Sequence, residues 1–513
     1  MHCAGRKQVS KASGRKGGIV PKEPLDEQAI RRRAEEAGQG HVFRFWKDLP
    51  QDGRRRLLAN LAEVDWAELA ALVRQNVIEH RPLELPPDLE PAPYIPLPRT
   101  GADHAQRRGM HQRGEALIAA GTVAAFVVAG GQGTRLGFAA PKGEFVIGPV
   151  SERPLFQVFA EAILAARRAY DAAIPWYVMT SHVTDQETRD FFEAHNYFDL
   201  PRADVKFFPQ GKVPAVDFQG KLLLAARDEL ACNPDGHGGS IRALARSGML
   251  ADMAARGIET LSYFQVDNPL VPPIDPAFIG CHAEARSDMS SKMALKRDAA
   301  EKVGHFCLSG GRLHVIEYSD LEKSGEGRKI LEAREPDGSL RFGAGSIAIH
   351  ILDRRFVERL NSDARFALPF HQARKKIAYV DESGVRRKPQ EPNGIKFETF
   401  VFDALPMAGR PVVLEIERAA EFSPVKNAEG EDTPATARRD MIRLAARWLQ
   451  EAGVAVPRDA AGDPKFKVEI SPLAARSAEE LKALVARLGL HEVTGDLYLG
   501  PETAQARSTP QPK

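Results

Sequence analysis

The chain has 513 residues, 43% of them hydrophobic and 27% charged, with a formal net charge of +2. That length fits about two to four domains with sizeable cores, and the near-balanced charge excludes a chain that binds nucleic acid or membrane through an overall field. No run approaches about 18 apolar residues, so no transmembrane helix is expected. The four cysteines, Cys3, Cys232, Cys281 and Cys307, form no C-x-x-C pair and fit a reducing cytoplasm rather than a disulfide framework or structural zinc.

From Met1 to Lys22 there are six Lys or Arg and no acidic residue, and residues 1–23 read as a disordered basic tail. Residues 24–111 read as a helical region and linker. Val42, Phe43, Phe45 and Trp46, then Leu57, Leu58 and Leu61, recur at helical spacing from Asp26 to about Arg81. Seven prolines between Pro82 and Pro98 then predict an extended linker.

Strands and helices alternate through the central region, taken as 112–420. Val123–Ala129 is a continuous apolar run suited to a buried parallel strand. A glycine-rich loop follows, then a helix from Pro154 to Tyr170, a strand Trp176–Thr180, and a helix to His195 that Thr184 and Glu187 are spaced to cap. Val205–Phe208 reads as a strand, Ser240–Ala255 as one helix and Thr260–Val266 as a strand. This order predicts an α/β fold with a Rossmann-like, doubly wound, mainly parallel sheet and a site at the carboxyl ends of its strands. After about Phe278 the elements are less regular, with a strand at Leu313–Tyr318. Residues 421–513 read as a small α/β domain, with helices Arg438–Ala452 and Ala478–Leu488 and strands Val468–Ile470 and Leu497–Leu499. Ala504–Lys513 is polar and expected to fray.

The strongest local motif is Gly130-Gly131-Gln132-Gly133-Thr134-Arg135-Leu136-Gly137, directly after the first buried strand. Glycine N–H groups can surround phosphate oxygens, and Arg135 adds a fixed positive charge. It is not a P-loop, because no Lys-Ser or Lys-Thr follows the last glycine. Nor is it a dinucleotide fingerprint: three residues separate Gly133 from Gly137, and Thr180 and Ser181 stand where an acid is wanted. By spacing alone, phosphate binding and a tight turn both remain open. Pro141-Lys142-Gly143, ten positions after Gly131, shifts the balance to phosphate. The fourteen histidines show no H-E-x-x-H spacing, and Ser181-His182 and Ser319-Asp320 have no nucleophile elbow around them.

That loop and the Pro-Lys-Gly together resemble the sugar-nucleotide pyrophosphorylases, in particular the eukaryotic-type UDP-N-acetylhexosamine pyrophosphorylases. The resemblance extends in order through Ala37-Gly38-Gln39-Gly40-His41 with Phe45-Trp46, Pro175–Ser181, Phe207-Phe208-Pro209-Gln210-Gly211 and Val266-Asp267-Asn268. It continues through Pro392–Lys396, Phe400-Val401-Phe402-Asp403, Glu421–Ala428 and Val468–Leu473. It implies a GT-A-like nucleotidyltransferase in which a sugar 1-phosphate attacks the α-phosphorus of UTP and pyrophosphate leaves in line.

The residue roles below are implied by that resemblance. Arg135, Lys142 and Lys426 stabilise charge on the reacting phosphates. Gly130, Gly131, Gly133, Thr134, Gln210, Gly236, His237 and Lys396 bind UTP. A Gln amide both donates and accepts, which suits a pyrimidine edge. Gly304, Glu317, Ser346, Phe400 and Phe402 line the sugar side. The two phenylalanines share one face if they lie on a strand, where they pack either on an N-acetyl methyl or simply in the core. Asp267 holds Mg2+, a cation that takes one or two carboxylates plus phosphate oxygens.

Two departures stand out. Ser346 replaces the family's Asn, and His237 follows the Pro-Asp-Gly turn where the family has Asn. They leave N-acetylglucosamine, N-acetylgalactosamine and glucose 1-phosphates all open. A UDP-sugar-binding protein without catalysis is the reading from another class. Small-molecule substrates are the expected partners, with no nucleic acid or membrane, and a monomer or weak homo-oligomer.

Overall fold

The computed structural model describes residues 26–79, 85–322, 325–362 and 368–505. The basic tail, Cys3, Pro82 and residues 506–513 lie outside the described residues. Backbone contacts group the chain into two compact units. One gathers the described residues of Met1–Arg81, Val213–Asn233 and Gln372–Lys396; the other gathers those of Pro82–Lys212, Pro234–His371 and Phe397–Lys513. These units are discontinuous, unlike the sequential ranges expected from sequence. The boundary expected after residue 111 falls inside a helix, Gly101–Ala119, which Thr100 and Asp103 start with a reciprocal capping box.

In the smaller unit, Asp26 caps the helix Glu27–Glu36 by accepting from Ala29 N. The Ala37–His41 motif finds a structural use there. The buried Gln39 amide donates to Gly220 O and accepts from Leu222 N, each at 2.9 Å. His41 Nε2 reaches Leu222 O at 2.9 Å. Arg31 lies over the Phe43 ring, 4.2 Å from its centroid.

The larger unit is built on a ten-stranded sheet: β1 (Glu90–Pro91), β2 (Val123–Val128), β3 (Trp176–Thr180), β4 (Val205–Pro209), β5 (Thr260–Gln265), β6 (Met289–Leu295), β7 (Gly304–Ser309), β8 (Arg312–Ile316), β9 (Ala344–Asp353) and β10 (Val412–Glu415). The main order is β1-β7-β9-β5-β2-β3-β4, with β6 on β9, β10 on β6 and β8 on β7. Strands β2 to β5 pair in parallel, as do β6 and β10. The sheet as a whole is mixed rather than mainly parallel, because β9 runs antiparallel to β5, β6 and β7. The β7–β8 pair turns through Gly310 and Gly311, both at positive φ, so no crossover helix separates these strands.

Both faces of the parallel part are covered. Val123, Ala125 and Val127 pack with Phe156, Phe159 and Trp176, whereas Ala124 and Phe126 pack with Tyr177, Phe208 and Tyr263. This period-two division of one apolar strand explains its unbroken hydrophobic run. The helices Pro434–Glu451 and Ala478–Leu488 and the paired strands Val468–Ile470 and Leu497–Leu499 form a separate core around Leu449, Leu481 and Leu499. Glu469 accepts from Val150 N, Ser151 N and Ser151 Oγ at 2.6–2.8 Å, and Ser471 donates to Glu161 at 2.8 Å. The Val468–Leu473 motif is thus an anchoring device.

Several elements differ from expectation. The helix expected over Ser240–Ala255 is two, Gly239–Arg246 and Met249–Ala255, broken where Gly248 takes a φ of +76°. Thr184 does not form the capping box; its Oγ1 accepts from Ser181 N at 3.1 Å and pairs with Ser181 Oγ at 2.9 Å. The described part of the proline-rich linker is hydrogen-bonded to the sheet, Ile95 N to Val413 O and Glu415 N to Ile95 O, each at 2.9 Å. The strand expected at Leu313–Tyr318 stops at Ile316, and the last long helix begins at Pro434, not Arg438. Among the described residues, no helix is long and apolar enough to cross a membrane.

Helices Gly101–Ala119 and Pro276–Ala285 meet through glycines. A Cβ on Gly114 would fall 1.8 Å from Pro276 O, and one on Gly280 would fall 1.7 Å from Met110 O. We expect Gly280→Ala to destabilise the fold by about 3 kcal/mol, measured as a lowered midpoint in denaturant titration; an unchanged midpoint would show that the helices separate at little cost.

Candidate functional site

The parallel register brings the carboxyl ends of four strands to one edge of the larger unit. Val128 pairs with Gln265 and Met179, and Thr180 with Pro209. The next residues of each strand are therefore neighbours: Gly130, Ser181, Gln210 and Asp267 all stand at this edge. Here the glycine loop closes on itself. Lys142 N donates to Gly131 O at 3.0 Å, Gly133 N to Ala140 O at 2.9 Å, and Gly137 turns at φ +70°. The ten-residue interval from Gly131 to Pro141 is the length of that closed loop. A Cβ on Gly143 would fall 2.1 Å from the Phe156 ring, which accounts for the glycine after Lys142.

Closure of the loop delivers Lys142. Its Nζ donates to Val425 O at 3.3 Å and lies 3.8 Å from Asp267 Oδ2. Both side chains are mostly buried, with 17% and 14% exposed. Arg135 and Thr134 are exposed on the short turn Thr134–Leu136. Gln210 is buried, its N donates to Thr180 O at 2.9 Å, and its Oε1 lies 3.1 Å from where a Gly130 Cβ would be. A side chain at 130 would press on that amide.

A second glycine segment faces this one. Gly236 has φ +84°, and its Cβ would strike Thr399 O at 2.4 Å. The Asp235 carboxylate is wedged between Gly211 and Gly239, 2.2 and 2.0 Å from their hypothetical Cβ positions. Val401 N donates to His237 Nδ1 at 3.2 Å, which leaves the ring proton on Nε2. Burial pushes the His237 imidazole down to about 4, so it is neutral near pH 7. Its ring stacks on Phe400 at 5.2 Å and lies 5.6 Å from Phe402.

Phe400 and Phe402 are not on a strand. The strand Gly394–Thr399 ends before them, and Phe402 lies in a 3-10 segment, Val401–Met407. The rings nevertheless approach to 5.0 Å, because the tight turn replaces the shared face of a strand. Ser346 on β9 is paired with Gly304 on β7, and Glu317 Oε1 lies 3.5 Å from the position of a Gly304 Cβ. Burial, reinforced by Asp320, pushes the Glu317 carboxyl up to about 7, against the opposing charges of His371 and Lys426. Lys426 Nζ is 3.9 Å from Asp432. Lys396 lies on the strand Gly394–Thr399 and is grouped with the smaller unit.

In the sequence, Asn268 stands out only as the last residue of the Val266-Asp267-Asn268 motif. In the fold it is buried, and its amide donates to Glu421 O at 2.7 Å while accepting from Ser423 N at 3.0 Å. Val425 N also donates to Asp267 O at 2.7 Å. The Glu421 carboxylate is in turn held by Lys292, which is 1% exposed and also bonded to Asp275 at 2.5 Å. This buried triad escaped the sequence reading because its members are far apart in the chain. Asp267 and Asn268 therefore fix the segment bearing Val425 and Lys426 beside Lys142.

Among the described residues, no group of three or more His, Cys, Asp or Glu is arranged to hold a metal ion. Asp267 offers a single hard carboxylate, a donor set that fits a cation completed by phosphate oxygens and water.

Residues 65–433 match the family described as UTP–glucose-1-phosphate uridylyltransferase, which defines the class. The chain is 39% identical to human "UDP-N-acetylhexosamine pyrophosphorylase-like protein 1", over 89% of this chain and 94% of that protein. It is 36% identical to the Saccharomyces cerevisiae "UDP-N-acetylglucosamine pyrophosphorylase", over 82% and 91%. Among solved structures, the uridine diphosphate N-acetylglucosamine pyrophosphorylase of Trypanosoma brucei aligns with a TM-score of 0.77 at 27% identity, covering 91% of this chain and 96% of that one. The chain belongs to the UDP-N-acetylhexosamine pyrophosphorylase family.

Removing the Asn268 amide leaves a buried N–H and a carbonyl unpaired. Asn268→Ala is expected to cost roughly 2 kcal/mol or more and to lower turnover as the Lys426 segment loosens. Equilibrium unfolding beside steady-state kinetics checks this; wild-type values of both would show that the segment is held by other contacts.

Proposed function

We propose that this protein transfers the uridylyl group of UTP to N-acetylglucosamine 1-phosphate, giving UDP-N-acetylglucosamine and pyrophosphate. The observation that carries this reading is the Lys142–Asp267 pair at 3.8 Å, beside a closed glycine loop at the carboxyl ends of parallel strands. The family match and the relatives' names support it. In this reading the parallel half of the sheet serves as a Rossmann-like, GT-A-type nucleotide platform.

A phosphate oxygen of the sugar 1-phosphate attacks the α-phosphorus of UTP. The new P–O bond forms as the bond to the β-phosphate breaks, and pyrophosphate carries the electron pair away. No covalent enzyme intermediate is needed, so the protein's work is to orient two anions and offset their charge. Lys142 and Arg135 stabilise the triphosphate, and Lys426 serves the phosphates as well. Gly130, Gly131, Gly133 and Thr134 let the backbone approach them. Gln210 and Gly236 hold the uracil. Asp267 would hold Mg2+, which when bound neutralises charge on the α-phosphate.

Two substitutions favour a second reading, the same reaction on glucose 1-phosphate or on several sugar phosphates. Ser346 is shorter than an Asn, and His237 places a neutral ring against Phe400 and Phe402. A catalytically silent UDP-sugar-binding protein is the outcome to exclude.

With UTP, Mg2+ and N-acetylglucosamine 1-phosphate, Lys142→Ala should lower kcat at least about tenfold while circular dichroism and melting stay near wild type. Activity close to wild type would remove Lys142 from the mechanism. Asp267→Asn should raise the Mg2+ concentration needed for half-maximal rate; an identical Mg2+ curve would argue against a metal role. Phe402→Ala should reduce kcat/KM for N-acetylglucosamine 1-phosphate more than for glucose 1-phosphate, and equal losses would make Phe402 a core residue only.

A further inference from the structure

Behind the sugar side lies a charged cluster that the reaction as described does not use. His371, on the strand Phe370–Lys375, sits between two carboxylates. Its Nε2 is 2.9 Å from Asp403 Oδ2 and its Nδ1 is 4.0 Å from Asp320 Oδ2. All three side chains are largely buried, with 19%, 13% and 10% exposed for His371, Asp403 and Asp320. The His371 ring also packs on Phe400 at 4.4 Å, on a neighbour of both His237 and Phe402.

The other groups that bear on His371 and Glu317 come from every packed element. Asp320 and Glu317 flank the start of the helix Tyr318–Leu321, Asp403 lies in Val401–Met407, Lys426 in the segment after Ser423, and His237 in the glycine turn. His314 on β8 senses Asp403 as well. Two largely buried carboxylates thus face the imidazole and Glu317 adds a third negative charge that it senses, with Lys426 as the other cation that bears on Glu317. Burial alone would lower His371, but the Asp403 hydrogen bond and the charges of Asp403, Asp320 and Glu317 outweigh it and raise it. For His237, burial and the charge of His371 outweigh the pull of Asp267, and it goes the other way.

We propose that His371, fixed by Asp403 and Asp320, is a positioning residue for the sugar: its ring holds Phe400 in place, and its charge bears on Glu317, an acceptor for sugar hydroxyls. This deepens the uridylyltransferase reading and rests on it for the identity of the ligand. Only ionised Glu317 accepts with both oxygens. Its carboxyl, near 7, therefore makes sugar-phosphate use rise with pH through that value. Removing the His371 charge withdraws a neighbour that favours the anion, so the rise must move to higher pH.

The test is the pH dependence of kcat/KM for the sugar 1-phosphate in wild type, His371→Gln and Glu317→Gln. Glutamine at 371 keeps a hydrogen bond to Asp403 without the charge. The acid limb of His371→Gln should move alkaline by about one pH unit, while Glu317→Gln should retain only the limb of the substrate phosphate near about 6. A limb unmoved in a folded His371→Gln protein overturns the proposal, because a merely structural loss would change its height and not its midpoint. The same question is put without turnover by following the Glu317 carboxyl with 13C-glutamate NMR, its signal identified by its absence in Glu317→Gln. A midpoint near about 7 in wild type that rises in His371→Gln supports the proposal, and a common midpoint refutes it. A wild type inactive on every sugar phosphate would instead defeat the uridylyltransferase reading, leaving the carboxyl titration to decide the His371 role.

Discussion

The structure of the larger unit turns on one ammonium group. Lys142 Nζ is held between the Val425 carbonyl and the Asp267 carboxylate, three groups from three separate stretches of chain. A largely buried lysine is costly unless acceptors face it, and here both acceptors are supplied by segments with their own anchors. Asp267 follows β5, which is locked in parallel register to β2. Val425 is tied to Asp267 O and, through Ser423, to Asn268. Lys142 itself is placed by the closure of the glycine loop. The cation is thus fixed relative to the glycine backbone with little freedom to lose on binding an anion, the condition under which electrostatic stabilisation of a transferring phosphoryl group is strongest.

Close backbone approach is the second constraint. Gly130 leaves room for the Gln210 amide, and Gly211 and Gly239 admit the Asp235 carboxylate between them. None of these three glycines takes a positive φ; they are required by space. The half proposed for the sugar is less rigidly prescribed. Phe400 and Phe402 stack there with His237, near Glu317, whose charge state depends on its neighbours.

Much of this was legible in the sequence where the signal is local. The strands Trp176–Thr180, Val468–Ile470 and Leu497–Leu499 and the helix Ala478–Leu488 have the ends that periodicity assigns them. The glycine loop was readable because its spacing encodes a closed loop. Features set by tertiary partners were not. The antiparallel placement of β9 depends on which edges β5 and β6 leave free, and nothing within Ala344–Asp353 states it. Thr184 has the residue type of a cap, yet its hydroxyl is taken by Ser181. Phe400 and Phe402 alternate as on a strand, but the chain turns at Phe400. At the site, Lys142 and Asp267 stood out through their motifs, whereas His371 and Asp403 meet only in the fold, thirty-two residues apart.

The most direct measurement is pyrophosphate release by the purified full-length protein with UTP and Mg2+, offered N-acetylglucosamine, N-acetylgalactosamine and glucose 1-phosphates in parallel. The account predicts release with all the stoichiometry of a transfer, one UDP-sugar per pyrophosphate, and a preference for N-acetylglucosamine 1-phosphate. Tight binding of UDP-sugars with no release from any of the three would contradict it.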